Sequence, residues 1–285
     1  MYFAQCVNFD GEVLGNLQTE QCEKRRCLWS IYLLQNLQGD NIQTSKLMAG
    51  VRTPFNTGSG LSPTYGFQRV PEHPPCGPPL EDVGLVSYAM RLAEVWSLAM
   101  AYAASQVTSD TPPPWSPCSD YSVVMFRHTE FDCHVPLAYR YHASRFRDHE
   151  LAQLNQNRDF WCAWLFVQFV YEAIPCLMNH PFLLSMRLRN FRHTLPQSFI
   201  QQSFERITLH SAWILHLIDL VQHKRFRVCD PTLAHCVVIV ATIHLQHSFV
   251  EDGEFRDKAR QGFAKCFVFL QEMGALWPHV KDMVI

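Results

Sequence analysis

Residues 159–178 read DFWCAWLFVQFVYEAIPCLM, and Asp159 and Glu172 are the only charged residues in this stretch. Its apolar side chains would lie on nearly every side of a helix, a pattern typical of a helix that other helices enclose. The stretch therefore predicts the central helix of an all-α protein. We expect Pro175 to kink this helix or to end it early, because proline lacks the N–H that the helix ladder requires.

Helical spacing continues on both sides of this stretch. Upstream, apolar residues recur three or four positions apart over residues 85–103 and 121–131, with Glu81 and Asp82 suited to the N-terminus of the first helix. The connection 136–148 is polar and ambiguous. These segments predict helices that pack beside the central one.

Downstream, the same spacing appears over residues 196–223, 232–249 and 254–273. Asp230 and Pro231 supply a cap and a first-turn proline, and Gly274 is a plausible stop. Strand-like alternation of useful length and internal repeats are both absent from the sequence. We predict an all-α fold, a multi-helix array of antiparallel helices.

The 285 residues, 48% of them apolar, can bury a substantial core, and we treat 1–285 as a single helical domain. Two interruptions are rich in proline and glycine. Residues 39–80 predict a long surface loop, and residues 108–118 predict a proline-rich break between two helices.

Composition limits the classes of partner. Lys plus Arg (24) nearly balances Asp plus Glu (26), so no broad positive field is available to hold nucleic acid. The eleven cysteines lack C-x₂-C pairs, which favours buried thiols in a reducing compartment. Residues 1–13 do not resemble a signal peptide, and the most apolar windows, 160–171 and 236–243, are shorter than a membrane span. We expect no membrane partner.

Two residue groups raise the question of a metal. His244 and His247 lie three apart on one predicted helix but have no third ligand nearby, and the sequence lacks Glu-x-x-His. Cys229, His235 and Cys236 do not match a common structural zinc spacing. We interpret both groups as ordinary helix residues and expect no catalytic, cofactor or metal site.

Three short basic clusters could contact phosphate: 24–26, the group Arg187, Arg189 and Arg192, and 224–227. The last closes a predicted helix, where cations stabilise the carbonyl end. An aromatic group could line an effector pocket, although packing in the core is its commoner fate. It comprises Trp161, Trp164, Phe166, Phe169 and Tyr171.

Residues 23–34, EKRRCLWSIYLL, place charges in a first turn and apolar residues on most of the remaining surface, so we expect an enclosed helix. The stretch resembles the signature helix of the fungal-specific transcription factor domain, the regulatory middle region of zinc-cluster activators. The residues that carry this resemblance are Glu23, Arg25, Arg26, Leu28, Trp29 and Tyr32. Ser30 stands where that family often has a second tryptophan.

The resemblance continues downstream in the same order. Residues 113–115, PPW, resemble the family's proline-tryptophan entry to a helix, and His180, Pro181 and Phe182 resemble its Leu-x-x-His-Pro-Phe segment. Residues 210–214 and 230–236 resemble its later helices. Each piece is short, and the resemblance to the family lies in their order along the chain.

The resemblance implies a nuclear regulator of transcription that acts through protein contacts or effector sensing. Protein partners, a homo- or heterodimer and a small-molecule effector are all compatible with it. The family's six-cysteine zinc cluster has no match here, so zinc is expected only in that absent N-terminal module. We expect either a truncated gene product or a paralogue that lost its DNA reader, in both cases without direct contact to DNA. The alternatives are an all-helical enzyme or ligand-binding protein with an apolar cavity, and a non-nuclear helical scaffold.

Overall fold

The computed structural model describes residues 30, 31, 33, 34, 36, 37, 84–108 and 110–283. Over these residues the protein is helical, without a strand, which confirms the all-α class. The α-helices are α1 Leu85–Ala104, α2 Asp120–His134, α3 Tyr141–Ser144, α4 Leu151–Gln156, α5 Arg158–Met178, α6 Pro181–Arg187, α7 Gln197–Lys224, α8 Pro231–His247, α9 Gly253–Gly274 and α10 Pro278–Asp282. Short 3₁₀ helices occupy Leu137–Tyr139, Phe146–Asp148 and Arg189–Phe191.

Helix α5 is the central helix, as its sequence predicts. It packs against α1, α2, α7 and α8, and Trp164, Leu165, Phe169 and Val170 are fully buried. These four residues lie on successive turns of α5 and point in different directions around its axis. Neighbouring helices must therefore cover more than one face of α5. The large helices α8 and α9 also pack closely on each other.

One helical run among the described residues, Arg158–Arg187, is long and apolar enough to cross a membrane by length and composition. Its most apolar window has a mean hydropathy of 1.4, so the expectation that all such windows are too short is wrong. The windows in that expectation are uninterrupted apolar runs, whereas the longer window tolerates a few polar residues. In the structure, 61% of the window is buried inside the protein.

Pro175 does not end α5 early, since the helix continues to Met178. Without an N–H at Pro175, the carbonyl of Tyr171 loses its usual partner four residues ahead. His128 on α2 replaces that partner, because its Nε2 lies 2.8 Å from the Tyr171 oxygen. The helix is thus repaired by a hydrogen bond from a neighbouring helix.

Helix boundaries follow the local chemistry. Helix α1 begins at Leu85, after Gly84 with a φ of 83°, which favours glycine, rather than at Glu81. Residues 81–83 and the predicted loop 39–80 lie outside the described residues. Between Ala104 and Asp120 the described residues form no helix, and Ser119 caps α2 by accepting from the Ser122 N–H.

The described residues between Ser30 and Leu37, which belong to the stretch 23–34 and its continuation, have helical backbones. Leu33 and Leu37 pack against the core while partly exposed. Leu34 is 57% exposed, so the expectation of an enclosed helix is wrong at this position. Glu23, Arg25, Arg26, Leu28, Trp29 and Tyr32 lie outside the described residues.

We predict that His128→Ala lowers the free energy of unfolding by about 2 kcal/mol or more, because it leaves the Tyr171 carbonyl buried without a partner. Urea unfolding measures the change. His134→Ala, an exposed histidine on the same helix, is the control and should cost under about 0.5 kcal/mol.

In a Pro175→Ala background the helix supplies an N–H to Tyr171, so the same His128→Ala change should cost about 1 kcal/mol less. Equal costs in both backgrounds would contradict the proposed exchange of partners.

Candidate functional site

A cleft of about 230 Å³ lies between α2, residues 135–142, α5 and α7. Its walls combine aromatic rings with carboxylates, a composition that can bind a small molecule. The residues of interest here are Asp132, Tyr139, Tyr141, Tyr171, Glu172 and Trp213. We call this the α2/α5/α7 cleft.

Glu172 provides the most unusual polar group of the cleft. Its Oε2 lies 2.6 Å from Nδ1 of His210, and the two side chains are only 13% and 15% exposed. Burial raises the pKa of the Glu172 carboxyl, while the hydrogen bond and the charge of His210 oppose that rise. The pair can therefore hold a proton between carboxylate and imidazole beside the cleft.

Tyr171 is held in place from behind by His128. The two rings stack with centroids 4.2 Å apart, and the same histidine donates to the Tyr171 carbonyl. Burial lowers the pKa of His128 to about 4, so its ring is neutral at pH 7. Because Nε2 must carry the proton in order to donate, Nδ1 is left as the unprotonated nitrogen.

Tyr141 and Trp213 form the opposite side of the cleft. The hydroxyl of Tyr141 lies 2.6 Å from Nε2 of His216, and its ring meets Trp213 edge-on at 5.2 Å. Arg140 donates to the Asp132 carbonyl at 2.7 Å, and its Nη2 lies 3.7 Å from an oxygen of the Asp132 carboxylate. This arrangement fixes the position of Tyr141 and leaves the Glu172 carboxylate without a guanidinium partner among the described residues.

The predicted aromatic group divides between core and cleft. Trp161, Trp164, Phe166 and Phe169 are buried in the core, and Trp164 Nε1 donates to the Tyr139 carbonyl at 2.8 Å. Tyr171 alone of this group lines the cleft. Sequence reasoning missed Tyr139 and Tyr141 because they lie in the ambiguous connection 136–148, where no periodicity marks them.

The His180–Phe182 segment makes the corner between α5 and α6. His180 caps α6, since its Nδ1 accepts from the Phe182 N–H at 3.3 Å while Nε2 contacts Thr242 Oγ1 on α8 at 2.9 Å. Pro181 occupies the first turn of α6, and the Phe182 side chain is 57% exposed. These three residues therefore position helices and lie outside the cleft.

His244 and His247 do not meet a third ligand in the described part of the chain, where no group of three or more metal-ligating side chains occurs. The His244 ring packs so closely on Gly262 that a Cβ there would lie 2.9 Å from it. His247 instead lies among Phe204 and Phe255, with ring centroids 6.1 and 5.1 Å away.

The second candidate group is also dispersed by the fold. Cys236 is fully buried, and burial raises the pKa of its thiol. Cys229 and His235 are exposed, and the His235 ring stacks loosely on His279.

The basic clusters have separate roles. Arg187 is 4% exposed, stacks on Tyr102 at 4.3 Å and donates to the carbonyls of Tyr102 and Ser105, so it is unavailable to phosphate. Arg189 and Arg192 are exposed. Lys224 Nζ donates to the His149 carbonyl at 2.9 Å. The cluster 24–26 lies outside the described residues.

Comparisons with family models, curated proteins and solved structures found no match to this chain.

We predict that acidification destabilises the fold as the pH falls from about 6.5 towards 4. Burial lowers the pKa of His128, His180 and His244 to about 4 in the folded state, against an ordinary value of 6.5. The unfolded chain therefore binds more protons in this window, and stability is lost as the pH falls through it. Glu172, whose pKa is raised, has the opposite and partly offsetting effect.

Urea unfolding at pH 7 and pH 5 measures this loss. His128→Gln should reduce it by about 1 kcal/mol, because glutamine can donate to the same carbonyl without titrating. His142→Gln, at an exposed position, is the matched control. An unchanged slope in His128→Gln would contradict the assignment.

Proposed function

We propose that this chain is a regulatory domain of a fungal zinc-cluster-type transcription regulator, and that it senses a small, partly apolar cation in the α2/α5/α7 cleft. The observation that carries the sensing role is the buried Glu172, which lines the aromatic cleft and is hydrogen-bonded to His210 beside it. The ordered resemblance from the stretch 23–34 to residues 230–236 supports the regulatory class. The domain acts through protein contacts in the nucleus, as a monomer or dimer, and does not contact DNA itself.

The charge and shape of the cleft favour a cation. Glu172 and Asp132 contribute carboxylates, and the aromatic side chains of Tyr171 and Trp213 also line the cleft, where a ring can attract an ammonium group. Arg140 also lines the cleft, but its guanidinium lies near Asp132. The Glu172 carboxyl contacts His210 through Oε2 and has no guanidinium partner among the described residues, so it is the carboxylate that we expect a ligand to meet. Binding of an ammonium next to Glu172 would favour its ionised form, which burial alone disfavours.

The volume limits the ligand to a small one. About 230 Å³ falls below the range usual for drug-sized ligands. A primary or quaternary amine that carries one short apolar group fits this space and these walls. Larger aromatic inducers would require the cleft to widen.

The cleft can transmit binding because its walls belong to separate elements. Asp132 lies on α2, Glu172 on α5 and Trp213 on α7. A ligand that contacts all three stabilises their relative arrangement by its differential affinity for that state. Surfaces formed by α2 and α7 would then present a changed face to a protein partner.

We predict that a panel of small primary and quaternary amines contains a ligand that raises the melting temperature, while neutral and anionic analogues do not. Isothermal titration then gives the affinity. Glu172→Gln keeps the side-chain shape but removes the charge, so affinity should fall about tenfold, the loss expected when one interaction with a charged group is removed. Asp257→Asn, at an exposed position on α9, is the control.

Equal binding of neutral analogues, or unchanged affinity in Glu172→Gln, would contradict the cation site.

The proposal that the chain regulates transcription needs a separate measurement. When the chain is tethered to a promoter by a foreign DNA-binding module, the reporter output should respond to the amine, and Glu172→Gln should abolish that response. Sequence-specific retention of duplex DNA by the untethered chain at physiological salt would overturn the claim of action through protein contacts alone.

A further inference from the structure

A cysteine from a distant part of the sequence, Cys229, contacts the first turn of α5. Arg158, in the first turn of α5, stacks over the buried ring of Phe226 with its guanidinium carbon 4.9 Å from the ring centroid. The same guanidinium donates to the carbonyl of Arg227 and, at 3.4 Å, to the sulfur of Cys229. Three contacts therefore fix a positive charge against one thiol.

Cys229 is both accessible and held in position. Its side chain is exposed, and its carbonyl accepts from Trp277 Nε1 at 2.8 Å. The next residue, Asp230, caps α8, with Oδ1 2.8 Å from the Thr232 nitrogen, so that carboxylate is already engaged. A solvent-accessible sulfur beside a guanidinium is the environment in which cysteines react with oxidants.

A second thiol lies one helical turn from Arg158. Cys162 is four residues after Arg158 on α5, and residues with this spacing are neighbours on one helix face. Its side chain is partly buried, and burial raises the pKa of its thiol. Beside this burial, the charge of Arg158 lowers the pKa of Cys162, and the charges of Cys229, Asp159 and Asp230 raise it.

Each of the other cysteines among the described residues lacks either exposure to solvent or a contact with a guanidinium. Cys176, Cys236 and Cys266 are buried, and burial raises the pKa of each thiol, so they remain protonated and shielded. Cys118 and Cys133 are exposed, but within the described part of the chain no guanidinium donates to either sulfur. They provide internal controls for exposure alone.

We propose that Cys229 is a peroxide-reactive thiol and that Cys162 resolves it by forming a disulfide. The Cys229 thiolate attacks one oxygen of hydrogen peroxide, so that an S–O bond forms, the O–O bond breaks and hydroxide leaves to become water. The Cys162 sulfur then attacks the sulfenic acid, an S–S bond forms, and the S–O oxygen leaves as a second water. The two thiols lose two electrons and peroxide gains them.

The experiment treats the reduced full chain with hydrogen peroxide at neutral pH and alkylates the remaining thiols at intervals. Mass spectrometry of the digest without reductant follows each cysteine. Cys229 should be consumed several-fold faster than Cys118 and Cys133, and a peptide pair joining Cys162 to Cys229, lighter by two hydrogens, should accumulate. Cys162→Ser should prevent the link and leave a Cys229 sulfenic acid that dimedone traps.

Arg158→Gln tests the role of the guanidinium and should slow the loss of Cys229 several-fold without changing the rate at Cys118. If this variant unfolds, the buried Cys176 and Cys236 become alkylated rapidly. Arg158→Lys, which keeps the positive charge, is then used instead, and Cys229 should keep its reactivity in that variant. Consumption of Cys229 no faster than Cys118 and Cys133 would overturn the proposal. A disulfide from Cys229 to any cysteine other than Cys162 would overturn the resolving role.

Discussion

The burial of α5 is the constraint from which the arrangement of the other helices follows. Trp164, Leu165, Phe169 and Val170 are fully buried on more than one side of a single helix, and burying each large apolar side chain contributes about 1.5–3 kcal/mol. A single neighbouring helix can cover only one face. Helices α1, α2, α7 and α8 therefore surround α5 and share its core, while α9 packs on α8 and α7 and reaches α5 through the stacked rings of Phe269 and Phe169.

Because α5 is so deeply buried, polar groups near its C-terminal end need hydrogen-bond partners from neighbouring helices. Pro175 removes an N–H and leaves the Tyr171 carbonyl without its helical partner, and His128 on α2 donates to it. Glu172 would be an isolated buried carboxyl if His210 on α7 did not contact it at 2.6 Å. Both compensations lie on the α2 and α7 side of α5, which is where the cleft opens. The candidate site is therefore built from the polar edge of the central helix.

The sequence was sufficient for the helices and insufficient for the site, for physical reasons. Apolar spacing predicts α5 and its neighbours because the helical period is a local property, whereas the beginning of α1 depends on the positive φ of Gly84. Arg187 reads as part of a basic surface cluster, yet it donates to Tyr102, which is 85 positions earlier. Tyr139 and Tyr141 have no periodic pattern to mark them, and their contacts with Trp164 and Trp213 exist only after folding. Contacts of this range are set by tertiary packing, which a local pattern does not encode.

The His180–Phe182 segment shows what a short family-like motif can and cannot carry. His180 accepts from the start of α6 with one nitrogen and contacts Thr242 on α8 with the other, and Thr242 in turn donates to the α8 backbone. A different side chain at this corner would lose the cap, the link between helices, or both, so the motif is demanded by geometry. The residues that would choose a ligand, Glu172 and Trp213, lie outside that motif and face a cleft on another side of α5. The cap therefore constrains where α6 and α8 lie, whereas Glu172 and Trp213 take no part in it.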